Sequence, residues 1–266
     1  MTSSLEQSFK KQLQLIAKKR NITPAEVWQN VLVERFLVRL CASPYQSHFI
    51  LKGGTLLARY LTLGRETRDL DFTIKGLKNG VAELQKVFDE IVAIKIADDF
   101  TFTTPKVALA EQFQQYPAVQ VKMGVHFGKS IYTLFIDLGF GDSVVEQEQK
   151  ILFLSQEVTL NCYPLEFIFA EKLETVIYRG ANNSRMKDFH DLHTIVTTEN
   201  ALQRDLAEKA TRTVFAHRKT EMLLPITFSP SELATLQHYW ERYRPANLPQ
   251  HIGQVIETIN NWLKPS

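Results

Sequence analysis

Two aspartates, Asp69 and Asp71, stand one residue apart in a segment that alternates apolar and polar side chains from residue 68 to residue 74. The alternation predicts a β-strand, and a two-residue period places both carboxylates on one face, with α carbons about 7 Å apart. Like charges this close raise each other's proton affinity unless a cation lies between them. Carboxylate oxygens suit Mg²⁺ or Mn²⁺. The pair is a candidate metal site, although two ordinary acids on a solvent-facing strand fit the same spacing.

A glycine pair lies upstream, where a short predicted strand, residues 48–51, runs into Lys52, Gly53, Gly54 and Thr55. Paired glycines let the backbone approach a ligand closely, and successive amides can surround phosphate oxygens. A helix beginning near Thr55 would direct its N-terminal amides at the same anion. The segment therefore indicates a phosphate site, with a plain turn between strand and helix as the alternative.

Asp137 ends the apolar run of residues 131–136. A carboxylate there is costly unless it is paired or coordinated. It is a candidate third metal ligand if its strand lies beside that of Asp69 and Asp71. Alternatively, it caps a turn at Gly139.

Lys172 stands in the apolar stripe of a predicted helix, four residues from both Ile168 and Val176. A lysine in that position either extends its amine to solvent or faces an anion in a cleft. Further along, Asp188 and Asp191 share one helix face. Acids in a first helical turn also complement the helix dipole, so this spacing alone does not identify a site.

The elements that position these residues form two groups. A capping box at Thr23 and Glu26 marks an early helix, and strands are predicted over residues 48–51, 68–74, 119–127 and 131–138, the last two as a hairpin. After Pro164 only helices are predicted, over residues 164–179, 186–197, 201–215, 231–243 and 250–263. We expect an α/β (α+β) domain over residues 1–160 and a helical domain over residues 161–266.

Composition excludes several classes of protein. The 266 residues are 44% hydrophobic and 23% charged, which excludes disordered and fibrous chains. A net charge of +2 excludes a nucleic-acid binder held by bulk charge, although a local basic patch could still bind RNA. Two distant cysteines, no signal-peptide pattern and no run of about 18 apolar residues predict a cytoplasmic protein without disulfides or membrane spans.

Together, the motifs resemble the AbiEii/AbiGii-type nucleotidyltransferase toxin family of the DNA polymerase β-like superfamily. The resemblance rests on five segments, in this order: Phe49 to Leu57, Arg65 to Phe72, Ile136 to Asp142, Glu171 to Arg179, and Arg185 to Leu192. It implies a mixed sheet with flanking helices, followed by a helical half. It also implies transfer of a nucleoside monophosphate from an NTP, with release of pyrophosphate, to an acceptor such as tRNA. A type IV toxin–antitoxin or phage-defence role and a cognate antitoxin follow from the same resemblance.

The resemblance also implies roles for individual residues. Asp69 and Asp71 would bind Mg²⁺ or Mn²⁺, with Asp137 as a variable third ligand. Lys172 would contact phosphate, and Asp188 would complete the active site from the helical half. The remaining implied residues bind the nucleotide: Gly53, Gly54, Thr55, Arg68 and Lys187.

Two other functions fit the sequence. One is a non-catalytic protein of this fold that binds a nucleotide or a partner protein. The other is a transferase that modifies a protein or small-molecule hydroxyl group. Metal-dependent NTP binding without turnover would favour the first, and the identity of the labelled acceptor would decide the second.

Overall fold

A computed structural model describes residues 2–67, 69–109, 118–141, 146–243 and 247–264. Its helices are α1 (Thr2–Arg20), α2 (Pro24–Cys41), α3 (Gly53–Tyr60), α4 (Val81–Ala93), α5 (Leu165–Arg179), α6 (Met186–Thr197), α7 (Arg204–Arg218), α8 (Pro230–Tyr243) and α9 (Ile252–Leu263). Its strands are β1 (Phe49–Lys52), β2 (Leu70–Ile74), β3 (Phe100–Phe102), β4 (Lys106–Leu109), β5 (Ala118–Phe127), β6 (Ser130–Phe140), β7 (Gln147–Leu152) and β8 (Glu157–Cys162).

The eight strands form one mixed sheet. Its order is β3-β5-β6-β2-β1-β8-β7, with β4 paired to β5. Strand β2 is antiparallel to β1 and parallel to β6. The predicted fold class, a mixed α/β sheet with flanking helices, is confirmed.

Several local predictions are also confirmed. The capping box of α2 is formed: Thr23 Oγ1 accepts a hydrogen bond from the Glu26 amide at 3.1 Å, and the Thr23 amide donates to Glu26 Oε2 at 2.8 Å. Strands β5 and β6 pair as the predicted hairpin. The five helices predicted after Pro164 are α5 to α9, although α7 begins at Arg204 rather than at residue 201.

Four strands were not predicted: β3, β4, β7 and β8. Strand β7 reads Gln-Glu-Gln-Lys-Ile-Leu, and its single buried residue is Ile151. An edge strand with so little apolar alternation carries a weak sequence signal. The predicted strand around the Asp pair is also shorter than expected, because β2 begins at Leu70 and Asp69 lies just before it.

The sheet packs through large apolar side chains. The Phe49 and Phe72 rings, from neighbouring strands, meet edge to face at 5.3 Å between centroids. The Phe88 ring of α4 lies 5.8 Å from Phe49 and 5.9 Å from Phe36 of α2. All four side chains are fully buried. This aromatic cluster anchors α2 and α4 on the two central strands β1 and β2.

The chain divides into two compact units. The first contains the whole sheet and comprises residues 1–56, Glu66–Asp142 and Glu146–Cys162. The second contains α5 to α9, and comprises Leu57–Arg65 and the chain from Tyr163 onward, together with residues 143–145. Across the described residues, no helix is both long and apolar enough to cross a membrane.

Candidate active site

Asp71 lies in the middle of three neighbouring strands of the first unit. Its register partner on antiparallel β1 is Lys52, and its partner on parallel β6 is Asp137. Register partners project to the same face of a sheet. The strands therefore align a cation, a carboxylate and a second carboxylate in one row, which confirms that the strand of Asp137 adjoins that of Asp71.

Gly53 brings the glycine motif against the Asp-x-Asp motif. Its φ of +71° lies in the left-handed region that favours glycine. A β carbon on Gly53 would stand 2.1 Å from Asp71 Oδ2 and 2.5 Å from Asp71 Cγ. Asp71 thus lies over the bare α carbon of Gly53, in space that only glycine leaves open.

We expect Gly53→Ala to reduce both stability and activity. The side chain would strain the backbone at positive φ, costing about 1–3 kcal/mol of the free energy of unfolding. It would also force the Asp71 carboxylate out of its position. Urea denaturation measures the first effect, and nucleotide transfer measured on the same preparation the second.

Gly253→Ala is the matched control for that substitution. Gly253 lies in helix α9, and a β carbon there would meet nothing within 4 Å. Alanine at such a position stabilises a helix by roughly 0.5–1 kcal/mol. If Gly53→Ala behaved like Gly253→Ala in both assays, the contact between Gly53 and Asp71 would be unimportant.

Thr55 connects the glycine motif to Asp69. Its hydroxyl donates a hydrogen bond to the Asp69 carbonyl oxygen at 2.8 Å, and its side chain is buried. Gly54 lies between Gly53 and Thr55 in the first turn of α3. Thr55 therefore fixes the position of Asp69 relative to the start of α3, whereas the exposed Asp69 carboxylate faces solvent.

Asp137 is held from its other side. Gln120 on β5 is its register partner and donates a hydrogen bond from Nε2 to Asp137 Oδ1 at 2.9 Å. Strand β6 continues to Phe140, so Asp137 lies within the strand and does not cap a turn at Gly139. The amide of Gln120 thus holds one oxygen of this half-buried carboxylate on the side away from Asp71.

The chemistry of Asp69, Asp71 and Asp137 fits a hard divalent cation, because all three offer carboxylate oxygens. The backbone geometry keeps Asp71 and Asp137 on adjacent strands and Asp69 two residues from Asp71. Nevertheless, within the described ranges no three His, Cys, Asp or Glu side chains converge closely enough to form a metal group. The residues suit the ion in type and in neighbourhood, and they do not form a complete set of ligands.

The second unit carries a cluster of buried charges around Lys172. The Lys172 Nζ atom lies 2.6 Å from Asp191 Oδ2 and 3.1 Å from Asp188 Oδ1. The exposed fractions of the three side chains are 12% for Lys172, 3% for Asp188 and 0% for Asp191. The Lys172 amine was predicted either to extend to solvent or to face an anion. The structure shows the second orientation, and the anions are the carboxylates of Asp188 and Asp191.

Arg65 closes this cluster from the other side of Asp191. Its Nε and Nη2 atoms donate to the two carboxylate oxygens at 2.7 and 2.6 Å, a bidentate pair. Burial alone would raise the pKa of Asp191, but Lys172 and Arg65 outweigh it and hold that pKa below its usual value. Burial would likewise lower the pKa of Lys172, yet Asp191 and Asp188 raise it. Both groups therefore stay charged at neutral pH.

The second oxygen of Asp188 is buried in an ion pair. Its Oδ2 atom is buried and makes no hydrogen bond to any described residue, although Arg185 Nε lies 3.3 Å away. The preceding residue, Lys187, is half-buried. The predicted nucleotide-binding residue Arg68 lies outside the described residues.

Sequence reasoning did not include Arg65 and Asp191 among the site residues. Asp191 had a signal, because it lies three residues after Asp188 on the same helix face. Arg65 had no local signal, since 126 residues separate it from its partner. We interpret both as positioning groups, because their charges are used in holding the cluster together.

His190, beside this cluster, has a structural role. His190 is buried, with Nε2 at 2.6 Å from the Leu63 carbonyl oxygen and Nδ1 at 2.9 Å from the Tyr243 hydroxyl. Nε2 must donate to the carbonyl, so Nδ1 accepts from Tyr243 in the neutral ring. Burial lowers the pKa of both His190 and His193, which favours that neutral form.

Comparison with protein families matches residues 35–257 to the nucleotidyl transferase AbiEii toxin family of type IV toxin–antitoxin systems. Two solved structures from Helicobacter pylori are similar to the chain. A candidate nucleotidyltransferase is 17% identical, with a TM-score of 0.49 over 91% of this chain and 97% of that one. JHP933 is 18% identical, with a TM-score of 0.48 over 91% of this chain and 94% of that one. A comparison with curated proteins gave no match.

The mixed sheet and the family match define the protein as a nucleotidyltransferase. Because the matched residues cover most of the sequence, the chain belongs to the AbiEii nucleotidyltransferase toxin family. The resemblance inferred from the motifs is thereby confirmed. Membership associates the protein with nucleotidyl transfer in a type IV toxin–antitoxin system, and it implies a nucleotide substrate and an antitoxin partner.

Proposed function

We propose that this protein is a toxin that transfers a nucleoside monophosphate from an NTP to tRNA, in the cytoplasm, with Mg²⁺ or Mn²⁺ as cofactor. The observation that carries the proposal is the contact between Gly53 and Asp71. It joins two motifs 18 positions apart, one suited to phosphate oxygens and one suited to a cation. A substrate that needs both at one place is a nucleoside triphosphate.

In this proposal the first unit binds the triphosphate. The backbone amides at Gly53 and Gly54, in the first turn of α3, bind its oxygens, and Thr55 holds that turn against Asp69. Asp69 and Asp71, with Asp137 as the third carboxylate, would hold the divalent ion, which when bound neutralises phosphate charge and activates the attacking oxygen. Arg68 remains a predicted phosphate contact.

Three residues of the second unit, Asp188, Lys172 and Lys187, keep the roles that the family resemblance implies. Asp188, whose Oδ2 atom lies 3.3 Å from Arg185 Nε, keeps its proposed role as the acid that completes the active site. Lys172 Nζ lies 3.1 Å from Asp188 Oδ1 and fixes the orientation of that carboxylate, and its contact with phosphate remains a prediction. Lys187, half-buried beside Asp188, is a second cation proposed for the nucleotide.

Incubation of the protein with total tRNA and each of the four α-³²P-labelled NTPs tests this function. We expect label on RNA from at least one NTP, and only with Mg²⁺ or Mn²⁺ present. The same NTP labelled at the γ position should leave RNA unlabelled, because that phosphate departs in pyrophosphate. Glu157→Gln, at an exposed position on β8, should transfer label like the unmodified protein.

The remaining outcomes distinguish the other functions. Label on a protein or on a small-molecule hydroxyl would replace tRNA as the acceptor. Metal-dependent NTP binding without transfer to any acceptor would identify a non-catalytic nucleotide-binding protein. Label on RNA without any divalent ion would overturn the assignment of Asp69 and Asp71.

A further inference from the structure

The face of the sheet that bears Asp71 continues over strands β6, β5 and β4. Along β5 and β6, alternate residues are buried, and the residues between them are exposed or half-exposed. We use the term open sheet face for the part formed by Lys106, Gln120, Lys122, Ile131 and Phe135. Phe135 is 36% exposed and Ile131 is 66% exposed. Because sheets normally bury large apolar side chains, these two are candidates for contact with a ligand.

Two lysines lie side by side on the open sheet face. Lys106 on β4 and Lys122 on β5 are direct register partners, and both are exposed. Like charges directly opposite each other destabilise an antiparallel pair. An anion bound over both ammonium groups would relieve that repulsion. This pairing therefore favours a phosphate-bearing ligand over an apolar one.

Phe135 stands next to the two lysines. It is the register partner of Lys122 on β6, and the Lys122 ammonium lies 5.5 Å from the centre of its ring. An exposed aromatic ring on a strand, beside cations, suits a nucleic-acid base that stacks on the ring while its phosphates meet the lysines. The row Lys106, Lys122, Phe135 thus offers both kinds of contact that single-stranded nucleic acid uses.

The same row lies close to the candidate metal residues. Phe135 precedes Asp137 by two positions on β6, so the two side chains share one face, with α carbons about 7 Å apart. On β5, Gln120 lies two positions before Lys122 and holds the Asp137 carboxylate. One ligand could therefore contact Asp71 and Asp137 at one end and the open sheet face at the other, because all these residues lie on the same face of the sheet.

We propose that the open sheet face binds the single-stranded end of the RNA acceptor, with a base on Phe135 and phosphates on Lys106 and Lys122. The inference rests on the proposed function, since it assigns the acceptor path of the same site. A negatively charged single strand satisfies the paired lysines and the aromatic ring together. A folded protein partner could bury the exposed apolar side chains, but it would need acidic residues of its own opposite the two lysines.

Phe135→Ala and the double variant K106Q/K122Q test the acceptor path. Each should raise the KM for tRNA by roughly 5- to 100-fold, the range of one base stack or a few phosphate contacts, with kcat and the Kd for NTP nearly unchanged. Phe135→Tyr should restore the KM. Leu152→Ala, which removes an apolar side chain that is 63% exposed on β7, is the control and should change neither constant.

Salt dependence separates the lysines from the phenylalanine. Fluorescence anisotropy measures the binding of a labelled single-stranded RNA oligonucleotide at several salt concentrations. In K106Q/K122Q the slope of log K against log salt concentration should become about 1.4 less steep, because two phosphate contacts are removed. Phe135→Ala should weaken binding without changing the slope. Thermal denaturation of each variant verifies that the fold is intact.

Unchanged RNA affinity in both variants, or a fall in kcat at unchanged KM, would overturn the acceptor path. So would loss of binding to an antitoxin protein with RNA affinity retained, which would make the open sheet face a protein interface. If no NTP labels RNA but oligonucleotide binding still depends on Phe135 and the lysines, the proposed transfer fails and the binding face stands.

Discussion

Lys172→Met should lower the free energy of unfolding by about 3–5 kcal/mol, the usual cost of removing one partner from a buried ion cluster. Methionine preserves most of the side-chain volume, so the loss measures charge rather than packing. Asp191 would keep Arg65, but Asp188 would lose the ammonium at 3.1 Å and retain Arg185 at 3.3 Å. Urea denaturation at pH 7 gives the difference between the two proteins.

The pH dependence of that difference identifies its electrostatic origin. The folded pKa of Asp191 is held below its usual value of 3.8. The stability this carboxylate contributes is therefore present above pH 3.8 and lost as the pH falls through the folded value. In Lys172→Met, Asp191 loses the ammonium that lowers its pKa and binds a proton more readily. The difference in the free energy of unfolding between the two proteins should therefore narrow as the pH is lowered from 7 towards 4.

Lys209→Met is the matched control for Lys172→Met. Lys209 is an exposed lysine on α7, and its substitution should change the free energy of unfolding by no more than about 0.5 kcal/mol. A Lys172→Met protein as stable as the Lys209→Met protein would show that the buried cluster contributes nothing to stability. A deficit that stayed constant with pH would assign the loss to packing.

The parts of the fold that were predictable are those encoded by neighbouring residues. The capping box at Thr23 needs only Glu26, three residues away. Strand β5 alternates apolar and polar residues, and a short turn joins it to the nearly all-apolar run of β6. Strand β7 was missed because its polar sequence has little alternation, and its place in the sheet depends on pairing with β8. Local pattern therefore located β1, β2, β5 and β6 and missed β3, β4, β7 and β8, although β8 is an interior strand between β1 and β7.

The candidate site divides in the same way. Asp69 and Asp71 were visible as a spacing, and Gly53 as a motif, but the contact between Gly53 and Asp71 depends on the antiparallel pairing of β1 with β2. The ion pair of Arg65 with Asp191 has no local signal, because only the tertiary fold brings the two together. The sequence therefore predicted residues of the candidate site, but it did not predict which side chains they contact.

Asp71→Asn should reduce nucleotide transfer by at least about 10²–10³-fold, the effect of removing one electrostatic group from an active site. Asparagine fits the space over Gly53, so the row of strands should persist. Stability should change little, because the substitution removes repulsion from Asp137 and attraction to Lys52 at once. Initial rates of labelling, with thermal denaturation of the same samples, separate activity from folding.

Asp137→Asn is the informative comparison for Asp71→Asn. Its amide oxygen can still accept the hydrogen bond from Gln120 Nε2, so the substitution removes charge while that contact remains. If Asp137 is a third ligand, the variant should need more Mg²⁺ or Mn²⁺ for half-maximal transfer and approach the normal rate at saturation, whereas Asp71→Asn should not recover at any metal concentration. Full labelling by Asp71→Asn would remove the carboxylate row from the mechanism, because Asp71 is the member of that row that contacts the glycine motif.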